Sequence, residues 1–176
     1  MTAEGKNVAI FVADEYEDLE AWYPYLRLKE AGVNVTIVAS DNVEGNVVKS
    51  KHGYPIKVDK KAKDVDPEDF DGVIIPGGYA PDTIRRCNNT LKFVKTLDEN
   101  NKLVASICHG GWVLASADVV EGKTLTSTPA IKDDLINAGA VWVDEEVVVD
   151  KNLVTSRSPK DLPAFLKEIL QELKSL

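Results

Sequence analysis

Short apolar runs alternate along the chain with longer segments in which apolar side chains recur at helical spacing. Residues 14–32 are typical of the second kind, because Leu19, Trp22, Tyr23 and Leu26 would share one face of a helix. The short runs are rich in β-branched side chains, which favours buried strands. They are NVAIFVA at 7–13, VNVTIVAS at 33–40, GVIIP at 72–76 and LVASI at 103–107.

Smaller elements are predicted between and after these segments. NVVKSKHGYPIKV at 46–58 predicts a pair of short strands around a turn at His52 and Gly53. A short strand is predicted near TLTS, and EVVV and NLVTS are predicted to be edge strands. Further helices are predicted from GGYAPD to about residue 99, from His109 onward, over 131–139 and over 158–175.

Strands that alternate with helices are typical of a parallel sheet that is covered on both faces. We therefore predict an α/β fold, a flavodoxin-like three-layer sandwich with a mostly parallel central sheet. No repeat or flexible linker interrupts the chain, so residues 1–176 are predicted to form a single domain. Ligands of such folds bind at the carboxyl ends of the strands, where the strand order reverses.

The charge and the apolar runs exclude several classes of partner. A nucleic-acid partner needs a basic face, whereas the net charge here is −8 and the positive charges are scattered. No apolar run approaches the roughly 18 residues that cross a bilayer. The first apolar run is followed at once by acidic residues instead of a signal-peptide cleavage site. We expect no nucleic acid, no membrane partner and a cytoplasmic location.

Metal and cofactor sites lack their usual motifs. The chain has two histidines and two cysteines, and their spacing does not fit a zinc site. PGGYAP matches neither of the glycine-rich fingerprints that bind nucleotide phosphates. We therefore expect no metal and no cofactor. Cys87 and His52 are predicted to be surface residues without a role in the chemistry.

The stretch KLVASICHGGWVLAS at 102–116 places Cys108 and His109 between a predicted strand and a predicted helix. Adjacent side chains do not face each other on a helix and point to opposite faces on a strand. The two side chains therefore cooperate only at a sharp joint between the elements. Small residues two positions before and after the cysteine, Ser106 and Gly110, fit such a nucleophile elbow. The alternative is a buried cysteine beside a histidine that caps the helix.

An elbow of this kind predicts a lowered pKa for Cys108, because unpaired amides at a helix N-terminus favour the thiolate. Full ionisation would raise the thiolate concentration only about thirtyfold at neutral pH. Most catalysis would come from donors to the developing oxyanion, each worth about 10²–10³-fold. We expect these donors to be the amide of His109 and an amide of the Gly77–Gly78 turn, with Gly110 in the same pocket.

No histidine follows His109, so a Cys–His–acid triad with its histidine far downstream is excluded. With the elbow in place, the chain closely resembles the PfpI intracellular-protease family of the ThiJ/PfpI superfamily from residue 7 to about 170. The resemblance depends on several motifs in the family's order. They are EYEDLEAWYPYLRLKEAG, KHGYPIKVD, PGGYAPD, VASICHGG, IKDDLINAG and WVDEEVVVDKNLVTSR.

This resemblance implies that Cys108 is the nucleophile, that His109 is its partner and that Glu17 approaches the thiol. It also implies dimers that can assemble into hexamers, with the active site at a subunit interface. The family's acid from the neighbouring chain corresponds to Asp82, which is one methylene shorter than the usual Glu. Thr128 replaces the Tyr or His that relatives often carry before Pro129, so it is a candidate substrate-binding residue.

Family members are peptidases, repair enzymes for methylglyoxal-modified proteins or cofactor-free glyoxalases. The resemblance therefore implies a cysteine-dependent enzyme, a hydrolase or a glyoxalase, that takes a small carbonyl compound or a peptide. The alternative is a non-catalytic redox-stress sensor or chaperone that uses an oxidisable Cys108.

Overall fold

The computed structural model describes residues 2–176. Its strands are β1 (Asn7–Val12), β2 (Asn34–Ala39), β3 (Val47–Lys49), β4 (Pro55–Lys57), β5 (Lys60–Lys61), β6 (Gly72–Ile75), β7 (Leu103–Ile107), β8 (Thr124–Leu125), β9 (Val141–Trp142), β10 (Val147–Asp150) and β11 (Leu153–Ser156). Seven of these form one sheet in the order β10–β11–β7–β6–β1–β2–β5. All neighbouring pairs in it are parallel except β10 with β11. The predicted mostly parallel sheet is thus confirmed.

The direction in which the sheet grows reverses at β1. From β1 the chain crosses to β2 on one side, and later returns to β6 and β7 on the other. Every residue of β6 and β7 is buried, as expected for strands that are covered on both faces. The segments that follow β1, β6 and β7 therefore leave the sheet at its carboxyl edge, next to the point of reversal.

Helices cover both faces of the sheet. They are α1 (Asp18–Glu30), α2 (Ala80–Ile84), α3 (Asn88–Glu99), α4 (Gly111–Ser116), α5 (Lys132–Asn137) and α6 (Leu162–Ser175). Helix α6 packs against α1, β7 and β11. Helix α4 contacts α2 and α3, and these three helices lie against the strands β1, β6 and β7. The predicted three layers are therefore present. No helix in residues 2–176 is long and apolar enough to span a bilayer.

Several predicted elements differ from the structure in extent or position. The helix predicted up to residue 99 is divided into α2 and α3, because the chain turns at Arg85–Cys87. NLVTS is not an edge strand, because β11 lies between β10 and β7 and all four of its residues are buried. The predicted strand pair around His52 and Gly53 is confirmed as β3 and β4.

Helix α1 buries a different face from the one that its apolar spacing predicts. It begins at Asp18 instead of residue 14, and its buried residues are Glu20, Ala21, Pro24 and Leu28. In contrast, Leu19 and Leu26 of the predicted apolar face are 56% and 59% exposed. The helix therefore presents a carboxyl group to the protein interior and apolar side chains to solvent.

Candidate active site

A sharp joint between β7 and α4 carries Cys108. The cysteine has φ +60°, a left-handed conformation that costs energy in any residue with a side chain. It opens a 3₁₀ turn, Cys108–Gly110, that leads into α4. A Cβ on Gly110 would lie 2.4 Å from the carbonyl oxygen of Ile75, so only glycine permits this chain crossing. Gly110 thus shapes the predicted elbow, and the structure gives it a packing role where we expected a pocket residue.

Gly77, just after β6, lies where a carboxyl group meets the cysteine. A Cβ at Gly77 would be 2.5 Å from Oε2 of Glu20 and 2.7 Å from Cβ of Cys108. The amide of Gly77 donates a 2.7 Å hydrogen bond to Oε2 of Glu20. This amide is therefore already bonded, and of the two amides of the Gly77–Gly78 turn that of Gly78 is left as the candidate oxyanion donor. Its function is to orient the carboxyl group.

The carboxyl group beside the thiol belongs to Glu20, whereas the sequence predicted Glu17. Glu17 is the N-cap of α1, and its Oε2 accepts a 2.9 Å hydrogen bond from the amide of Glu20. Because α1 begins at Asp18, Glu20 lies on the buried face of the first turn and points at Cys108. Sequence reasoning missed Glu20 because it assigned the apolar residues around it to the buried face.

Burial makes Glu20 a weak acid. Its side chain is fully buried, and Oε1 has no hydrogen-bond partner within residues 2–176. Burial and then the negative charge of Glu17 raise the pKa of Glu20 to about 8, although the amide of Gly77 and the Cys108 thiol favour its ionised form. A raised carboxyl pKa beside a cysteine is typical of a site where protons are transferred.

Two backbone amides point at the sulfur of Cys108. They belong to His109 and Gly78, and both act to lower the pKa of the thiol. Gly78 has φ +76°, and a Cβ there would lie 2.4 Å from the carbonyl oxygen of Glu15. Glycine is thus needed to bring this amide against the segment that follows β1. These are the two amides predicted from the sequence as oxyanion donors, with Gly78 as the residue of the turn, and that role stays a prediction.

The lowered thiol pKa that the elbow predicts is contradicted. Burial first, and then the charge of Glu20, raise the pKa of Cys108 to about 12, which outweighs the two amides. Because the pKa of Glu20 is about 8, this pair of side chains loses its first proton near pH 8, well below the pKa of the thiol. The thiol and carboxyl hold one proton between them once the first is lost.

His109 lies beside the thiol, as predicted. Its Nδ1 is 3.3 Å from Sγ of Cys108, and the ring is half-buried. Burial and then the positive charge of Lys51 lower the pKa of His109 below its ordinary value. The imidazole is therefore neutral at pH 7 and can accept a proton.

The other predicted residues lie at different distances from this cluster. The amide of Thr128 donates to the carbonyl oxygen of Cys108 at 3.4 Å, so Thr128 adjoins the elbow. Asp82 is exposed, and its Oδ2 lies 3.3 Å from the guanidinium of Arg86 in the turn that follows α2. Within one chain, Asp82 is occupied by this surface ion pair.

Two residues without a predicted role complete the comparison with the sequence. His52 is exposed, as expected, and its Nδ1 lies 2.8 Å from Oδ2 of Asp18. Cys87, expected at the surface, is instead buried, with its sulfur 3.5 Å from the amide of Asp41. Within residues 2–176, no cluster of three or more histidine, cysteine or acidic side chains is arranged to hold a metal ion.

The fold and the site together define a class of protein. Its members are flavodoxin-like sandwiches in which a cysteine lies on a strained elbow, flanked by a buried glutamate and a histidine. The chain belongs to the DJ-1/PfpI family, whose model matches residues 6–172. The family predicted from the motifs is thus confirmed.

Named relatives agree over nearly the whole chain. A deglycase of Pyrococcus abyssi is 48% identical over 168 residues, which are 96% of this chain and 99% of the relative. YraA of Bacillus subtilis, named provisionally as a cysteine protease, is 47% identical over 169 residues, with the same coverage. The crystal structure of Drosophila melanogaster DJ-1beta superposes with a TM-score of 0.88 at 32% identity, covering 96% of this chain and 90% of that one.

Proposed function

We propose that this chain is a cysteine-dependent enzyme that attacks an electrophilic carbonyl carbon with Sγ of Cys108. The observation that supports this most directly is the position of the thiol, on a strained elbow between the buried Glu20 carboxyl and the amides of Gly78 and His109. Relatives named as deglycases and as a cysteine protease support the same chemistry.

In the proposed first step, Sγ forms a bond to the carbonyl carbon and loses its proton to Glu20. The pair of carbonyl electrons moves onto oxygen, where the amides of Gly78 and His109 can donate to it. No free thiolate is needed beforehand, because Glu20 accepts the proton as the bond forms. The high pKa of Glu20, about 8, makes it a suitable acceptor and later a suitable donor.

The second step depends on the substrate. With a peptide, the carbonyl re-forms, the bond to the leaving amine breaks, and Glu20 or His109 returns a proton to that amine. Water then hydrolyses the acyl-cysteine and restores the thiol. With a dicarbonyl such as methylglyoxal, or with its protein adduct once Sγ has displaced the protein amine and the thiol proton has left with that amine, a proton moves from the hemithioacetal carbon to its neighbour. The first oxygen becomes the carbonyl of a thioester, and the neighbouring oxygen takes up a proton from Glu20. Water then cleaves the thioester, which releases lactate and restores the thiol. Neither route requires an oxidant or a metal.

We further propose that the chain self-associates near this site. The apolar side chains Leu19, Tyr23 and Leu26 on α1 are all exposed, and such contiguous apolar faces mark interaction surfaces. Asp82 is exposed on α2 and would be able to reach His109 of a second copy. Its side chain is one methylene shorter than the family's usual Glu, which mildly disfavours efficient proteolysis, because the leaving amine of a peptide needs a well-placed acid.

Replacing the nucleophile tests the proposal. Cys108→Ser should lower lactate formation from methylglyoxal, and cleavage of any peptide that the wild type cleaves, by at least about 10³-fold. Cys87→Ser is the matched control and should retain the wild-type rate, because Cys87 is buried and distant in the chain from the elbow.

Equal rates for wild type and Cys108→Ser would contradict the proposal. If only the wild type then gained a sulfinic mass with peroxide, the redox-sensor alternative would replace it.

A further inference from the structure

We propose that Trp112 is a positioning residue for His109, and that Asp134 and Arg85 hold Trp112 in place for that task. The inference deepens the proposed function, since it concerns how the imidazole is kept against the Cys108 thiol. It does not follow from the predicted elbow, which involves only Cys108, His109 and the glycines around them.

The geometry begins with two rings on one turn. Trp112 follows His109 by three residues, so both side chains lie on the same side of the joint between the 3₁₀ turn and α4. The ring centroids are 5.2 Å apart and the planes meet at 64°, an edge-to-face contact. The indole therefore blocks the rotation that would take Nδ1 of His109 away from Sγ of Cys108, 3.3 Å distant.

The indole is itself fixed from two sides by side chains of other helices. Its Nε1 donates a 2.7 Å hydrogen bond to Oδ2 of Asp134 on α5. The guanidinium of Arg85, at the end of α2, lies over the ring with Cζ 5.4 Å from the centroid. Arg85 is held in turn by a 2.9 Å bond from its Nε to Oγ of Ser116. Opposite charges thus hold the ring edge and the ring face.

The location of Trp112 argues against a simple packing role. The ring is half-buried: one side packs against the core, and the ring also lines a cleft of about 430 Å³ with Arg85 and Asp134. The hydrogen bond to the exposed Asp134 fixes the orientation of the indole, which packing of an apolar ring would not require. An anchored ring does have a use where it meets a catalytic imidazole.

Trp112 also covers part of the His109 ring. The charged and titratable groups around this ring are Lys51 of the turn between β3 and β4, the Cys108 thiol, and Glu20 behind the thiol. Lys51 and burial act in the same direction, against protonation of the imidazole. Removing the indole would expose the ring to water while leaving Lys51 unchanged.

The test measures His109 directly, without substrate. The chain has only two histidines, so His52→Gln leaves one imidazole C2 proton for an NMR titration. In this background the pKa of His109 should lie below about 6.5 and should rise towards that value in Trp112→Leu. Trp112→Phe keeps an aromatic ring in place and should hold the pKa close to that of the parent.

Turnover supplies a second readout. Trp112→Leu should lower kcat about tenfold and change KM less than about twofold, because the imidazole is misplaced while the substrate still binds. Trp112→Phe should recover most of kcat. Asp134→Ala should lower kcat about threefold, whereas its exposed neighbour Asp133→Ala, the matched control, should keep the wild-type value.

These outcomes separate the two proposals. If Cys108→Ser retains full activity, the proposed function fails, but the NMR titration still decides whether Trp112 positions His109. If Trp112→Leu is folded by circular dichroism and leaves both the His109 pKa and kcat unchanged, the positioning role is overturned. If Trp112→Leu fails to fold, the other two variants decide. An unchanged His109 pKa in Trp112→Phe together with a raised His109 pKa in Asp134→Ala supports the role. An unchanged His109 pKa in both variants overturns it.

Discussion

Glu20 and Cys108 are two acids whose burial prevents them from both being ionised near neutral pH. Burial raises the pKa of each group, and the negative charge of Glu20 raises the pKa of Cys108 further. The first proton leaves the pair at about pH 8, the value for Glu20, and the second near 12. Between these values the pair has one negative charge and one proton, which is the form that can transfer a proton during attack on a carbonyl carbon.

This pairing predicts a pH profile for the reactivity of Cys108. Alkylation by iodoacetamide should accelerate about fivefold between pH 7 and 8, because the singly ionised pair grows from about a tenth to a half of the protein when the first pKa is about 8. In Glu20→Gln the remaining acid is a buried thiol, so the midpoint should move upward. Mass spectrometry of the Cys108 peptide measures the rate, and a midpoint that Glu20→Gln leaves unchanged would contradict the pairing.

The two reacting side chains differ in how far the sequence predicts them. Cys108 and His109 are recognisable because a nucleophile between small residues at a strand–helix joint is a local pattern. Glu20 has no such pattern. It is one of several acidic residues near the start of α1, and only the exact first residue of the helix decides which of them faces inward.

At the scale of elements, the start of α1 connects fold stability to the site. The Glu17 carboxylate caps the helix, and its charge also raises the pKa of Glu20. Glu17→Ala should therefore lower the free energy of unfolding by about 1 kcal/mol, the usual value of an N-cap. It should also shift the alkylation midpoint of Cys108 to lower pH, because Glu20 loses a negative neighbour.

Urea unfolding and the alkylation profile measure these two effects of Glu17→Ala. Glu44→Ala removes an exposed glutamate from a loop and is the control for a general change of charge. A loss of stability with no shift in the midpoint would restrict Glu17 to capping.

Elements were predicted best where burial is uniform. The strands β1, β6 and β7 are apolar because both of their faces are covered, and they were located to within one residue. The face of α1 was predicted wrongly, because periodicity identifies an apolar face without telling whether the core or another molecule covers it. The turn that separates α2 from α3 has no Gly or Pro to mark it.

At the scale of the whole molecule, the proposed shared site makes a prediction for mixed assemblies. If each site uses Cys108 of one copy and Asp82 of another, Cys108→Ser and Asp82→Asn should each be impaired. In a coexpressed mixture, half of random dimers pair the two variants, and each such dimer has one intact site. Activity should then recover to about a quarter of wild type.

Light scattering on the same samples would establish whether the particles exceed the 19.3 kDa of one chain. Wild-type turnover in Asp82→Asn would contradict the shared site and leave Asp82 as the exposed partner of Arg86.

The architecture of the whole molecule was accessible from the sequence, because alternating strands and helices admit few arrangements and direct the ends of parallel strands to one edge. The segments after β1, β6 and β7 do meet there and carry Glu20, Gly77 and Cys108. The sequence does not predict which side chains of these segments contact one another at that edge, since this depends on turns of one or two residues.

The absence of a side chain at Gly77 has a consequence for how this family member can change over time. Even the methyl group of alanine at this position would clash with both the Glu20 carboxyl group and the Cys108 side chain and would force them apart. Any substitution of Gly77 would therefore remove the proton sharing between Glu20 and Cys108 in a single step, and no substitution at this position would reduce it gradually.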